Sequence, residues 1–281
     1  MDYLHTIIMG IMQGLTEFLP VSSSGHIVLT SVIYKLITGQ DFSVATDEEV
    51  FFDIMLHIGT LIAVCIYFRK EIVSVLKALF TSIKTKSFNN YKSMLGIYII
   101  VSTFFTGIIG VFIKDTCEKL LTMPVIVGCA LIVTGLILLG SEFLFQRAAK
   151  KITTVGIKEA ILIGIAQGFA ALPGISRSGS TIATAIAFGV DRTNAARYSF
   201  LISIPVMALV FILSIPDIIR IEMTEDLSWG PMVIGTIVSG IVGYLCVKYF
   251  ILYLRRFSLN IFAYYCMLAG LATIICFKFV L

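Results

Sequence analysis

Apolar residues run through this chain in long blocks, and the places where the blocks break are the most informative part of the pattern. Six stretches, at about 51–68, 93–113, 121–141, 198–216, 229–247 and 257–277, are uncharged or nearly so. An α-helix needs roughly 20 residues to cross about 30 Å of hydrocarbon, so each stretch is predicted to be a transmembrane helix. The first of them carries Asp53 and His57; the other five carry no charge. Two further segments, about 4–38 and 157–189, are apolar at both ends and interrupted by Gly, Pro and Ser in the middle. Each half holds about 14 residues, or about 21 Å of helix, which is too short to span. These segments are predicted to dip into the bilayer and return as re-entrant helical hairpins.

The two broken segments match each other. At a constant offset of 154, "IIMGIMQGLTEFLPVSSSGHIVLT" lies over "ILIGIAQGFAALPGISRSGSTIAT" without a gap, pairing Gly10 with Gly164, Gln13 with Gln167, Gly14 with Gly168, Ser22 with Ser176, Ser24 with Ser178 and Gly25 with Gly179. We read an internal duplication, about 1–145 and 155–281, within a single integral membrane domain covering 1–281. Three predicted spans separate the hairpins, and an odd number turns the second copy over. The expected fold class is therefore all-α and polytopic, with six transmembrane helices and two re-entrant helical hairpins arranged as an inverted repeat.

Charge placement supports this layout. The connection 69–92 carries six basic residues against Glu71, and 145–158 carries Arg147, Lys150, Lys151 and Lys158 with no acid. By contrast, 41–49 holds Asp41, Asp47, Glu48 and Glu49, and 217–228 holds Asp217, Glu222, Glu225 and Asp226 against Arg220. Basic loops stay cytoplasmic, and every loop obeys that rule only if each hairpin returns to its own side.

Composition changes the picture little. With 58% apolar residues, 14% charged residues and a mean hydropathy of +0.99, the chain is no soluble domain. The net charge of +4 gives no reason to expect a nucleic-acid partner. No Lys or Arg precedes the first apolar run, so that run is expected to be retained rather than cleaved as a signal peptide. The six cysteines lack paired spacing and read as packing residues.

Chemistry is expected at the hairpin tips. In the first, Pro20 and Ser22-Ser23-Ser24-Gly25 end one short helix and start another, beside Glu17 and His26. In the second, "PGISRSGST" does the same and adds Arg177. Exposed amides at a helix start suit an anion, and a guanidinium at membrane depth needs a partner or a ligand. Ser23 is a candidate nucleophile, with His26 or Glu17 as its base; in a second route Ser23 is a ligand, and His26 or a water activated by Glu17 attacks. Arg177 and amides near Ser178 to Thr181 would hold a phosphate, joined by Gln13, Ser22, Ser24, Ser176, Ser178 and Thr181. The plainer reading of Glu17 is an internal ion pair with Arg177. Asp53 and His57, one turn apart, are expected to form a buried supporting pair. Arg192 and Arg197 read as solvated cytoplasmic charges, and Gly235 to Gly243 as helix contacts. Broken inverted repeats also occur in secondary transporters, so lipid-phosphate transport is the main rival; an intramembrane serine protease is a weaker one, since it has no use for Arg177.

These residues carry a resemblance. Gln13, Gly14, Glu17, Pro20, Ser22, Ser23, Gly25 and His26 fit (E/Q)GxxExxPxSSxGH, and Pro173, Gly174, Ser176, Arg177, Ser178 and Thr181 fit PGxSRSxxT. Together they resemble the undecaprenyl-diphosphatase family, the bacitracin-resistance proteins, over the whole chain. The resemblance implies hydrolysis of undecaprenyl diphosphate to the monophosphate carrier of cell-wall synthesis, in a bacterial inner membrane with the site facing outward. It also implies a divalent cation, Mg or Ca, for which Glu17 with Gln13 assisting is the candidate holder; no organic cofactor is expected, and a homodimer is compatible with it. Gln13 stands where some members carry Glu, which puts in doubt any mechanism needing two carboxylates.

Overall fold

A computed structural model describes residues 2–39, 46–121, 123–148, 152–224 and 227–279. Asp41, Lys150, Lys151, Glu225 and Asp226, which entered the charge pattern above, lie outside the described residues. Among the described residues the chain forms ten helices and no strand beyond one bridge, Ile152 to Val190. They are α1 (Tyr3–Thr16), α2 (Ser23–Thr38), α3 (Asp47–Thr85), α4 (Tyr91–Leu121), α5 (Pro124–Arg147), α6 (Ile157–Phe169), α7 (Arg177–Ala187), α8 (Arg192–Thr224), α9 (Trp229–Leu254) and α10 (Asn260–Phe279). Six of them, α3, α4, α5, α8, α9 and α10, are long and apolar enough to cross a membrane. This is an all-α, multi-pass membrane protein.

The six spans coincide with the six apolar stretches, but most run further than their hydrophobicity indicates, α3 furthest. The basic stretch 69–85, expected as loop, continues α3 until Lys86 adopts a left-handed conformation (φ 54°) and ends it. No Gly or Pro interrupts residues 60–85, and Lys and Arg are good helix formers, so charge ends the membrane segment without ending the helix. Helix α8 holds Pro205 and Pro216 in its interior. Prolines are tolerated in membrane helices because neighbours can satisfy the freed carbonyls.

Each broken segment is two short helices around a turn, and the ends of each segment meet. At the first, the Tyr34 hydroxyl donates to Asp2 (2.5 Å), His5 stacks on Tyr34 (4.4 Å between ring centres) and Lys35 pairs with Glu49 at the start of α3 (2.9 Å). At the second, the Ile152 N–H donates to Gly189 and the Asp191 N–H returns to Ile152, both at 2.9 Å.

Small residues set the packing between segments. A Cβ at Gly10 would lie 2.5 Å from the Gly235 carbonyl oxygen, and one at Gly14 would lie 2.8 Å from that of Ser239, so α1 and α9 advance together. The matching residue, Gly164, would meet the Ser102 carbonyl at 2.5 Å on α4, with Gly168 against Ile109 further along. Helices α5 and α10 run in opposite directions, with Gly128 against Gly270 and Gly135 against Ala263. Contacts this close leave no room for any side chain, which is how glycine brings membrane helices together.

Of the two arginines expected to be solvated, Arg192 departs from expectation, whereas the Arg197 side chain stays 41% exposed. Arg192 is not solvated: its Nε and NH2 donate to the two oxygens of Glu142 (2.8 and 2.5 Å), which is buried and also accepts the Leu259 N–H (2.9 Å). Arg197 pairs with Glu71 (2.5 Å). Glu142 sits inside an apolar run, and burying its carboxylate requires a fixed cation nearby.

Candidate active site

The two turns interlock. The Ser178 hydroxyl donates to the Leu19 carbonyl (2.8 Å) and the Gly174 N–H reaches Ser24 Oγ (3.5 Å), so each tip holds the other. Thr134 of α5 braces the second tip, donating to the Gly174 carbonyl (3.2 Å) and accepting from the Ser176 N–H (3.1 Å).

Glu17 is the centre of this arrangement. It caps the C-terminus of α1, its own N–H bonding the Gln13 carbonyl, and its side chain is buried. Arg177 NH2 donates to Glu17 Oε1 (2.5 Å), while Ser23 Oγ (2.7 Å) and Gln13 Nε2 (3.1 Å) both donate to Oε2. A carboxylate away from water costs several kcal/mol unless paired, and these three donors across both hairpins offset that cost. His57 Nε2 stands 3.9 Å from Glu17 Oε2. Its Nδ1 faces the Asp53 carbonyl (2.8 Å) and lies 3.6 Å from Asp53 Oδ2. The Asp53–His57 pair therefore forms beside the site, but it is not buried: the side chains are 46% and 40% exposed.

Two polar atoms here lack a partner. Arg177 NH1 and Gln13 Oε1 are both buried without a hydrogen bond. A guanidinium that spends one nitrogen on Glu17 and leaves another buried and unsatisfied still has a donor to offer an anion.

The remaining predicted site residues divide clearly. Ser23 opens α2 and bonds Glu17; its hydroxyl has no bond to His26. His26 turns the other way, Nδ1 to the Ser22 carbonyl (2.8 Å) and Nε2 to the hydroxyl of Tyr265 on α10 (2.7 Å). Ser176 caps α7, accepting from the Gly179 N–H (3.0 Å), and its hydroxyl meets that of Ser178 (3.2 Å). Thr181 bonds the Arg177 and Ser178 carbonyls and the Ser199 hydroxyl. Ser22 and Ser24 bond each other (3.3 Å). These hydroxyls are occupied in shaping the turns, whereas Glu17, Ser23, Gln13 and Arg177 converge. Sequence reasoning missed Thr134 and Tyr265, which carry no motif and lie 42 and 239 residues from their partners.

With the geometry in place, comparison with known proteins gives a direct answer. A sequence model of the family described as bacitracin resistance protein BacA matches residues 6–272, nearly the full chain and both hairpins. The chain belongs to the BacA family. Within it, the chain is 40% identical to a protein of Methanosphaera stadtmanae named undecaprenyl-diphosphatase, over 98% of each. It is 38% identical to undecaprenyl-diphosphatase 2 of Halalkalibacterium halodurans, over 95% of this chain and 93% of that one. A third BacA-type relative, the undecaprenyl-diphosphatase of Halothermothrix orenii, is 38% identical over 98% of each.

Proposed function

We propose that this chain hydrolyses undecaprenyl diphosphate to undecaprenyl phosphate and inorganic phosphate, recycling the lipid carrier of cell-wall synthesis and conferring bacitracin resistance. The names of its relatives favour this reaction over lipid-phosphate transport. The observation that carries it is a single constellation: a buried carboxylate that already accepts a hydrogen bond from Ser23, beside an arginine with a second buried nitrogen free for phosphate.

In the mechanism this supports, Arg177 NH1 holds the terminal phosphate and neutralises charge as it develops. Ser23 Oγ attacks the terminal phosphorus, and its proton passes to Glu17 Oε2. The bond from phosphorus to the bridging oxygen breaks, and its electron pair leaves with undecaprenyl phosphate. Water then adds to the phosphoserine, Glu17 returns its proton to Ser23 Oγ, and dihydrogen phosphate departs. Glu17 serves as the base because Ser23 bonds it directly, while both His26 ring nitrogens are engaged elsewhere.

A divalent cation would find oxygen donors beside this pair but no full protein ligand set, since among the described residues no three of His, Cys, Asp and Glu cluster to hold a metal. Gln13 Oε1 is a buried oxygen with no partner, adjacent to Glu17, and hard cations such as Mg or Ca take oxygen ligands of this type. Gln13 and Glu17 would hold it, and bound there it would supply positive charge to the diphosphate.

The bilayer frame follows from charge. Asp47, Glu48 and Glu49 open α3, and Lys77 and Lys84 lie near its other end, so the positive-inside rule sets the N-terminal end outside. His57 lies about 15 Å along the helix from Asp47. The site then opens outward, in the cell membrane, from a first hairpin whose two ends both return to the start of α3. That return, the meeting of Ile152 with Gly189 and Asp191, and the opposite directions of α5 and α10 all support two re-entrant hairpins in an inverted repeat.

The deciding measurement is phosphate release from undecaprenyl diphosphate by purified protein, with acid-quenched mass analysis for phosphate on Ser23. Phosphoserine at 23 and an inactive Ser23→Ala support the scheme; full activity of Ser23→Ala overturns it.

A further inference from the structure

The first tip contains a strained residue. Ser22 has φ 70°, inside the left-handed region that residues other than glycine rarely occupy, and it directly precedes Ser23. The second tip makes its turn without that strain. Its matching serine, Ser176, has φ −77°, and the left-handed residue of that turn is Gly174 (φ 86°), the match of Pro20, to which the conformation costs little. Both serines cap their helices in the same way, accepting from Gly25 (3.4 Å) and Gly179 (3.0 Å). Capping therefore does not explain why only one of them is strained.

Pro20, whose ring holds φ negative, stands where the second tip has Gly174, so the left-handed residue falls on Ser22 instead, and a brace found only at that tip holds it there. A carbonyl oxygen only accepts, so the bond between His26 Nδ1 and the Ser22 carbonyl places the ring proton on Nδ1. In the neutral ring Nε2 is then an acceptor, and the Tyr265 hydroxyl donates to it at 2.7 Å. The two rings also stack, with centres 5.5 Å apart and planes 14° from parallel. The His26 N–H adds a second bond to the same Ser22 carbonyl (3.3 Å). In the second tip the residue at the His26 position is Ser180, which has no ring; its N–H bonds the Ser176 carbonyl (2.8 Å), and no side chain is needed there.

We propose that Tyr265 is a positioning residue for the phosphatase reaction: by fixing the tautomer and plane of His26 it clamps the Ser22 carbonyl, holds the left-handed turn, and keeps Ser23 Oγ aimed at Glu17. This rests on the reading of Ser23 as nucleophile. It assigns His26 to the geometry of the turn, with the proton of Ser23 going to Glu17.

The test uses full-length protein and phosphate release from undecaprenyl diphosphate. Tyr265→Phe keeps the stacked ring and removes only the donor; it is expected to lower kcat roughly ten- to hundredfold with KM within about twofold, because a small misalignment of a nucleophile is costly. Nitrogen NMR of His26, labelled in the intact protein, is expected to show a single Nδ1–H form in the parent and a mixed population in Tyr265→Phe. Adding Ser22→Gly, which makes the left-handed turn free of strain, is expected to recover most of the lost rate. The inference is overturned if Tyr265→Phe turns over at the parent rate while Tyr265→Ala does not, since packing alone would then matter. It is also overturned if kcat falls but Ser22→Gly recovers nothing. The two readings fail separately: an active Ser23→Ala removes the nucleophile, while an inactive Ser23→Ala beside an unimpaired Tyr265→Phe removes only the clamp.

Discussion

The two hairpins begin from nearly the same residues and reach different chemistry. Gln13 and Gln167, Ser22 and Ser176, Ser24 and Ser178, and Gly25 and Gly179 occupy matching positions, and the serines make matching bonds: Ser22 to Ser24 at 3.3 Å and Ser176 to Ser178 at 3.2 Å. Among the positions that differ, Glu17 is matched by Ala171, Pro20 by Gly174, Ser23 by Arg177 and His26 by Ser180. The first tip thus holds the carboxylate, the hydroxyl and the strain, while the second holds the cation on a relaxed turn. One scaffold can supply opposite charges to a single point because the tips interlock, putting position 17 of one against position 177 of the other. Opposite charges from opposite hairpins also mean that neither half forms the site alone.

The sharpest way to break that comparison is to remove the cation. Arg177→Ala is expected to cut kcat by about 10³–10⁵, the range seen when an arginine on a transferring phosphoryl group is lost. It also leaves Glu17 buried without its cation, so the variant is expected to be less stable by about 3 kcal/mol. Arg177→Lys keeps the charge but loses the forked geometry, and is expected to recover stability more fully than rate. Equal loss of rate and stability in both variants would mean that Arg177 only holds the hairpins together.

A smaller effect, on folding rather than chemistry, is expected at the relaxed turn. Gly174 has φ 86°, and a Cβ there would lie 2.5 Å from the Val127 carbonyl oxygen and 2.7 Å from Ala130 Cβ. Gly174→Ala therefore meets both strain and overlap, and should destabilise by about 2 kcal/mol or more. Thermal unfolding in detergent measures this directly. An unchanged midpoint would show that the second tip can shift away from α5, and that its interlock with the first is loose.

These contrasts also show which parts of the molecule were visible in the sequence. The two broken segments and their turns were, because Glu17, Arg177 and the serine strings interrupt apolar sequence where polar groups are expensive, and a costly residue has to be explained locally. Six spans were visible for the same reason, through length and hydropathy. The continuation of α3 to Thr85 was not, since a helix leaving the bilayer loses its hydrophobic signal while keeping its backbone pattern. The Arg192–Glu142 pair was missed because Arg192 reads as an ordinary basic residue at a cytoplasmic turn. Tyr265 was illegible from the start: one of 11 tyrosines, it acquires a role only when α10 comes to rest against His26. Backbone strain at Ser22 likewise has no sequence signature, because serine is common at helix starts with ordinary dihedrals.

The smallest expected effect separates the two caps themselves. Replacing either serine by glycine removes the capping hydroxyl, a loss of only a few tenths of a kcal/mol when glycine is the replacement. At Ser22 the same change relieves a left-handed backbone worth about 1–3 kcal/mol, which outweighs the lost cap and glycine's extra freedom in the unfolded chain and leaves a net gain of about 1 kcal/mol. At Ser176, with φ −77°, there is nothing to relieve, and glycine adds freedom to the unfolded chain at a cost of about 0.5–1 kcal/mol. Ser22→Gly should therefore raise the unfolding midpoint by a few degrees and Ser176→Gly should lower it by a similar amount. Opposite signs from identical substitutions at matching positions would locate the strain at the tip that carries Ser23. Equal shifts would mean that Ser22 sits comfortably in its turn, and that the Tyr265 clamp has no strain to hold.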